Sequence, residues 1–312
     1  MISWSTSDIA GIHFGDSHIS ATRISRKGDG PYALSHADWL PYDSGASEQV
    51  IAGAVKVLWR QSKIPTRAIC ATLRSSSLVM RYFKYPSMSA EELRSALELQ
   101  AEEALQVPRR DLIVDWHLNR GEYSIGARGK AIEGIFFAAP VKDVDRILNI
   151  LFLAGLDPII LDVRALAVAN LYSVLGEKKD ESALCLVNLA PHSADVMVVT
   201  KSGSIYPYTV LCRATTWAEA PEFLCENIRD VMKYCDFKLD WEPVRRIVLT
   251  GEVPPGTEFS RKIQEGARLP VECWSPLSVL DCSAKRVKAR LAGDVASGKM
   301  LGPCLGLSLR KG

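Results

Sequence analysis

The chain has 312 residues, of which 47% are hydrophobic and 24% charged, with a formal net charge of +2 and an isoelectric point of about 8.1. This composition fits a packed protein of one large or two ordinary domains, and the balanced charge excludes the basic surface typical of nucleic-acid binding. We find no apolar run of about 18 residues and no secretory leader, so we expect no membrane-spanning helix and no export.

Hydrophobic periodicity in the first half predicts alternating strands and helices. Strands are predicted at residues 8–14, 18–24, 32–40, 67–73, 78–85, 112–118, 134–139 and 159–162, and helices at 48–61, 87–105, 142–154 and 164–175. Ser89 and Glu92 have the spacing of a capping box, and Pro108 requires that helix to end by Val107. Gly155 suits the position that follows a helix.

A hydrophilic segment at residues 176–181 predicts a boundary, after which the same order of elements returns. Strands are predicted at 183–188, 194–200, 204–211 and 246–249, with a helix at 216–235 before the last of them. The order strand, strand, strand, helix, strand therefore occurs twice. We predict an α/β fold of two facing lobes, residues 1–178 and 179–312, in which the first turn of each lobe points into a cleft. Tight turns of this kind form anion-binding concavities.

Several segments in this order resemble the PilM family of actin-like pilus assembly proteins, which is related to the cell-division protein FtsA. The first segment, GIHFGDSHISATRIS, is similar to the family's GxDxGxxxxK pattern. The others are RYFKYPSMSAEELRSALELQAEEALQVPRRDLIVDW, FFAAPVKDVDRILNILFLAGLDPIILDVRALAVANLY, ENIRDVMKYCDF and the terminal LGLSLRKG. The resemblance covers nearly the whole chain. It implies an actin-like (ribonuclease H-like, duplicated) two-lobe fold with an inserted 1C-type subdomain at about 78–156. A reduced 2B subdomain is expected, together with a C-terminal helix at about 300–310 that packs back on the first lobe.

The resemblance also implies an ATP site between the lobes, here reduced to a vestige. Its expected residues are Gly11, His13, Gly15, Asp16, Ser17, Asn188, Ala190 and Gly251. His13 stands where the family has an acidic residue, and imidazole is a poor ligand for Mg²⁺. Ser20 occupies the position, near the end of the motif, where the family has a lysine. Asp16 is either a turn-forming residue beside Gly15 or a displaced metal ligand.

The other two nucleotide motifs depart from the family in the same direction. The second hairpin reads Asn188-Leu189-Ala190, so a charge is lost and a Cβ is present where the family has glycine. Pro191 removes an N–H donor. The adenosine-side turn keeps Gly251 but adds Glu252, a negative charge. We therefore expect no ATP hydrolysis, while ATP–Mg²⁺ binding without turnover stays open. We predict no metal site.

The family's known partner is the short N-terminal cytoplasmic tail of a single-pass inner-membrane protein, PilN, which binds in a groove formed by subdomains 1A and 1C. The residues predicted to line this groove are Val79, Arg81, Phe83, Tyr85, Leu93 and Leu97. The acidic helix at 91–105 is either a solvated face or a contact for a basic tail.

The sequence thus predicts a cytoplasmic adaptor, peripherally attached to the inner membrane through its partner. Contacts with other pilus platform or motor components and self-association are further expectations. One alternative is an active actin-like ATPase of the same machine. Another is the cytoplasmic domain of a type II secretion platform protein, against which we count the absence of a following membrane helix. The eight cysteines have no CxxC spacing and predict free thiols in a reducing cytoplasm.

Overall fold

The computed structural model describes residues 9–26, 28–73, 78–119, 131–177, 182–293 and 299–310. The strands are β1 Ala10–Phe14, β2 His18–Arg26, β3 Tyr32–Pro41, β4 Ala68–Thr72, β5 Val79–Pro86, β6 Leu112–Leu118, β7 Ala131–Pro140, β8 Asp157–Asp162, β9 Leu184–Leu189, β10 Ser193–Val199, β11 Ile205–Leu211, β12 Arg246–Gly251 and β13 Val271–Cys273. The α-helices are α1 Glu48–Ser62, α2 Ala90–Leu105, α3 Val141–Leu153, α4 Arg164–Leu175, α5 Pro221–Leu239, α6 Glu258–Ala267, α7 Lys285–Gly293 and α8 Gly302–Leu307.

Two five-stranded sheets have the same strand order. The first runs β3-β2-β1-β4-β8 and the second β11-β10-β9-β12-β13. In each, an antiparallel three-stranded meander continues into two parallel strands. This repetition confirms the duplicated α/β fold. The boundary predicted after residue 178 lies outside the described residues and stays a prediction.

The middle of the first half forms a separate small sheet in the order β5-β7-β6, covered on one face by α2. The predicted capping box begins this helix, since Ser89 Oγ accepts a hydrogen bond from Glu92 N–H while Glu92 Oε2 accepts one from Ser89 N–H. The helix ends at Leu105, two residues before Val107, as Pro108 requires. Gly155 follows α3 with a φ of 78°, a backbone conformation that glycine adopts at little cost.

The largest core joins the two five-stranded sheets. It combines side chains of β2 and β3 with those of β9, β10 and β12, and α4 and α8 lie between them. Gly11 of β1 donates its N–H to Ser308 Oγ at 3.1 Å, and a Cβ at Gly11 would lie only 2.1 Å from the carbonyl oxygen of Cys304. The segment 302–308 is therefore an integral layer of the first sheet's packing.

Some elements differ from the sequence predictions. The helix predicted from residue 216 begins at Pro221, because a 3₁₀ turn at Trp217–Glu219 precedes it and proline suits the first helical position. Helices α6 and α7 and the short β13 were not predicted. Across the described ranges, no helix is both long and apolar enough to span a membrane.

Candidate functional site

The first turns of the two large sheets face each other across one cavity, which we call the turn cavity. Gly15 closes the β1–β2 turn by donating its N–H to His18 O, and Ala190 closes the β9–β10 turn by donating to Ser193 O. Seven of the eight predicted nucleotide residues line this cavity: His13, Gly15, Asp16, Ser17, Asn188, Ala190 and Gly251. Gly11, the eighth, does not, because it lies beneath α8.

Gly251 is required by the backbone of this site. Its φ is 77°, and a Cβ there would lie 2.3 Å from Leu189 O and 2.7 Å from Asn188 Oδ1. Glycine at this position allows the end of β12 to approach the second turn closely. The neighbouring Glu252 carboxyl has a raised pKa, first because it is buried and then because Asp16 is nearby.

His13 is held as a neutral side chain. Its Nδ1 shares a 2.7 Å hydrogen bond with Thr72 Oγ1. Burial, and secondarily the charge of Arg164, lower the pKa of His13 to about 3, against a smaller opposing effect of Asp195. At neutral pH this position therefore supplies neither the carboxylate that Mg²⁺ prefers nor a cation for a phosphate.

A buried ion pair lies at the wall of the turn cavity, which Arg164 lines. Arg164, the first residue of α4, donates from Nε to Asp195 Oδ2 at 2.6 Å and from Nη2 to Asp195 Oδ1 at 3.0 Å. Arg164 also donates to Ser193 Oγ, and the Asn188 amide donates to Asp195. Arg164 is 6% exposed and Asp195 3% exposed. A fixed guanidinium thus lines the cavity between the two turns.

Sequence reasoning missed this pair, although each partner carries a signal. Asp195 interrupts the apolar strand SADVMVV, and Arg164 begins the apolar helix RALAVANLY. Charged residues within segments that will be buried are almost always paired. Because the two residues are 31 positions apart in the sequence, no local pattern indicated that they are partners.

The turn cavity is small in this structure. Its volume is about 40 Å³, which is room for a few water molecules at roughly 10–15 Å³ each. In the part of the chain that the structure describes, no group of three histidine, cysteine or acidic side chains is placed to hold a metal ion. The residues present do not fit a magnesium–triphosphate.

A second cavity is much larger, about 700 Å³, and we call it the sheet groove. One wall is the face of the small sheet opposite α2, formed by β6 and β7. The other is formed by β8, α4 and the turn between β10 and β11. The walls are mostly apolar, with Ile113, Phe137, Ile160 and Leu166 among the lining residues. At its floor Arg310 forms an ion pair with Asp162 at 2.7 Å.

The residues predicted for the peptide groove belong to the face of the small sheet that α2 covers and not to the sheet groove. Phe83, Leu93 and Leu97 are buried between β5 and α2, where a peptide has no access, and this corrects the prediction. Val79 and Tyr85 pack against the same cluster, and Arg81 is exposed beside them. The reason is the period of two along a strand: alternate residues of β5 point to opposite faces, and the sequence pattern did not tell which face α2 covers.

Several acidic side chains of α2 form hydrogen bonds or ion pairs with neighbouring residues of the chain. Glu92 belongs to the capping box, Glu98 pairs with Arg94 and Glu102 pairs with Arg109. These contacts support the reading of α2 as a solvated face.

Comparisons with known proteins agree with this architecture. A family model described as type IV pilus assembly protein PilM matches residues 11–210, more than half of the chain. The chain is similar to the solved PilM-PilN type IV pilus biogenesis complex, with a TM-score of 0.79, 17% identity and coverage of 98% of this chain and 99% of that one. A comparison with curated proteins found no match.

Two more distant structures share the fold. One is a Bacteroides thetaiotaomicron protein with an actin-like ATPase fold and unknown function, at TM-score 0.52 and 12% identity, covering 91% of this chain and 96% of that one. The other is the cytoplasmic domain of EpsL, an inner-membrane component of the Vibrio cholerae type II secretion system, at TM-score 0.50 and 9% identity, covering 83% and 94%. These likenesses confirm the predicted actin-like fold.

Proposed function

The chain belongs to the type IV pilus assembly protein PilM family, and from this premise we propose that it is an adaptor that does not hydrolyse ATP. It docks the N-terminal cytoplasmic tail of a PilN-like inner-membrane protein and so sits at the cytoplasmic face of the membrane through its partner. The family membership and the named partner of the similar solved complex support the type of ligand.

The buried Arg164–Asp195 pair carries the proposal that hydrolysis is lost. Binding a magnesium–triphosphate in the turn cavity would require Arg164 to leave its bidentate contact. Asp195 would then remain buried without its partner, which is unfavourable by several kcal/mol or more. The small volume between the turns, about 40 Å³, adds a second barrier.

The sheet groove supplies the docking site of this proposal. Its volume of about 700 Å³ lies within the roughly 300–1,000 Å³ typical of ligand sites, and its apolar walls suit side chains of an extended segment. The tail of a single-pass membrane protein orders when it binds, so modest affinity is expected for the area buried.

Two calorimetric titrations of the purified protein test the proposal. Mg-ATP is expected to give no binding heat and no phosphate release above background. A synthetic peptide of the first 20 residues of the PilN-like partner is expected to bind. Phosphate release that is abolished by Asp16→Asn would instead support the active ATPase. Absence of peptide binding would overturn the adaptor.

A further inference from the structure

Among the residues that the structure describes, no strand lies along the outer edge of β6, whereas the outer edge of β5 is covered. The small sheet runs β5-β7-β6, so both are terminal strands. Strand β11 runs beside β5, and Tyr82 of β5 packs on Tyr206 and Trp241 of the second half. Along β6, no further strand pairs within the described ranges. The strand that faces the sheet groove is therefore also the one that can accept another strand.

The hydrogen bonds of β6 show which backbone groups are available. Asn119 donates its N–H to Glu133 O across the ladder to β7. Backbone groups alternate sides along an antiparallel strand, so those of Asp115 point to β7 and those of Val114 and Trp116 point outward. Trp116 N–H confirms this, because it donates to the side chain of the preceding Asp115 at 2.8 Å instead of to a strand.

Side chains at the edge define what could pair there. Ile113, 45% exposed, offers an apolar contact in the groove. Asn119, 3% exposed, also lines the groove, and its side-chain Nδ2 has no hydrogen-bond partner within the described part of the chain. A buried donor left unpaired is costly, and a backbone carbonyl of an added chain would satisfy it.

The charge of the groove favours a basic segment. Asp162 is neutralised by Arg310, whereas Asp115 forms no ion pair with any residue that the structure describes. Cytoplasmic segments beside a membrane-spanning helix carry an excess of lysine and arginine. A basic side chain of such a tail would form an ion pair with the Asp115 carboxylate. The carboxylate would then release Trp116 N–H, which becomes free to pair with the added strand.

We propose that the partner tail binds as an added fourth strand along the outer edge of β6, with a basic side chain beside Asp115 and a backbone carbonyl accepting from Asn119. Strand addition gives affinity through backbone hydrogen bonds and specificity through alternate side chains. This inference rests on the proposed function and deepens it, since it names the bound conformation and the charge of the ligand.

The decisive experiment uses the full chain and the 20-residue partner peptide, with its backbone nitrogens methylated one position at a time. Strand pairing uses every second N–H, so methylation at alternate positions is expected to weaken binding about tenfold or more, with smaller effects between them. Amide exchange is measured in parallel. Protection on binding is expected at Val114 and Leu118, and none is expected along β5.

Three variants complete the test. Ile113→Ala and Leu99→Ala form a matched pair, since both residues are 45% exposed but only Ile113 lines the groove. We expect roughly fivefold weaker binding for the first and no change for the second. Asp115→Asn is expected to reduce the salt dependence of binding.

The outcomes separate the two proposals. If the unmodified peptide does not bind, the adaptor proposal fails and this inference fails with it. If the peptide binds but methylation has no period of two, or if β5 rather than β6 gains protection, only strand addition at β6 is overturned.

Discussion

The turn cavity and the sheet groove are lined by adjacent residues of the chain, yet they differ in size and polarity. Asp162 and Val163 line the groove, while Arg164 lies in the turn cavity. In the cavity the backbone turns persist and side chains fill the space between them. In the groove the walls stay apart and one strand edge is open. The comparison shows that one fold can hold a narrow polar cavity and a wide, mostly apolar groove side by side, so the function of each site depends on its own side chains.

The largest expected effect comes from breaking the buried Arg164–Asp195 pair beside the turn cavity. Arg164→Ala leaves Asp195 buried without its guanidinium, and we expect the free energy of unfolding to fall by about 3–5 kcal/mol, measured by urea denaturation. Arg261→Ala is the matched control. Its pair with Glu265 has the same 2.6 Å distance but both side chains are more than half exposed, so a loss of at most about 1 kcal/mol is expected.

A double variant separates charge from packing at the same place. Arg164→Met with Asp195→Leu replaces both ions by apolar groups, and it is expected to recover much of the stability lost in Arg164→Ala. If Arg164→Ala alone unfolds no more easily than Arg261→Ala, the buried pair stabilises the fold no more than an exposed pair does.

The next effect concerns the layer beneath the first turn. Gly11→Ala places a Cβ against the Cys304 carbonyl, and forcing α8 away is expected to lower the free energy of unfolding by about 1–3 kcal/mol. Gly53→Ala, on the exposed side of α1 with nothing within 4 Å, is expected to raise it by up to about 1 kcal/mol. Equal melting temperatures for the two variants would contradict this role of Gly11.

A smaller effect is expected from acid. Because the pKa of His13 is about 3 in the folded protein and near the ordinary 6.5 when unfolded, only the unfolded chain takes up this proton between those values. Stability from this group is complete above about pH 6.5 and is lost as the pH falls, by up to about 1.4 kcal/mol per pH unit. The stability difference between the protein and His13→Gln should therefore change with pH over this window. A constant difference would show that His13 does not titrate in this way.

The smallest effect on peptide affinity is expected from charge reversal on α2, because this helix covers the face of the small sheet opposite the groove. Reversing the exposed Glu91 and Glu103 to lysine is expected to change peptide affinity less than twofold at 0.15 M salt, since surface charges beyond about 8 Å are largely screened. The titration that detects the Ile113→Ala loss serves as the reference. A large loss in the reversed variant would return α2 to the interface.

Local signals in the sequence were sufficient for much of the fold. The alternating strands, the capping box at Ser89 and Glu92 and the glycine after α3 depend on neighbours within a few residues, and the structure has them where they were predicted. The repeated order of elements then determined the duplication. The family resemblance, which the family model confirms, came from segments of the same kind in a fixed order.

The details of both sites depended on contacts that no local pattern encodes. The face of β5 that α2 covers decides whether Phe83 is core or surface, and a period of two fits either choice. Likewise, Arg164 and Asp195 look like isolated charges until α4 is laid against β10. Gly11 belongs to a recognisable motif, but its closest neighbour is Cys304, nearly three hundred positions away.

That long separation has a consequence for synthesis. The contact between Gly11 and Ser308 spans 297 positions, so β1 leaves the ribosome long before the residues that cover it. At roughly 5–20 residues per second, the first sheet would wait for tens of seconds with an apolar surface exposed. The N-terminal half is therefore expected to need shielding by a chaperone during translation, even though its own strands are among the earliest to be made.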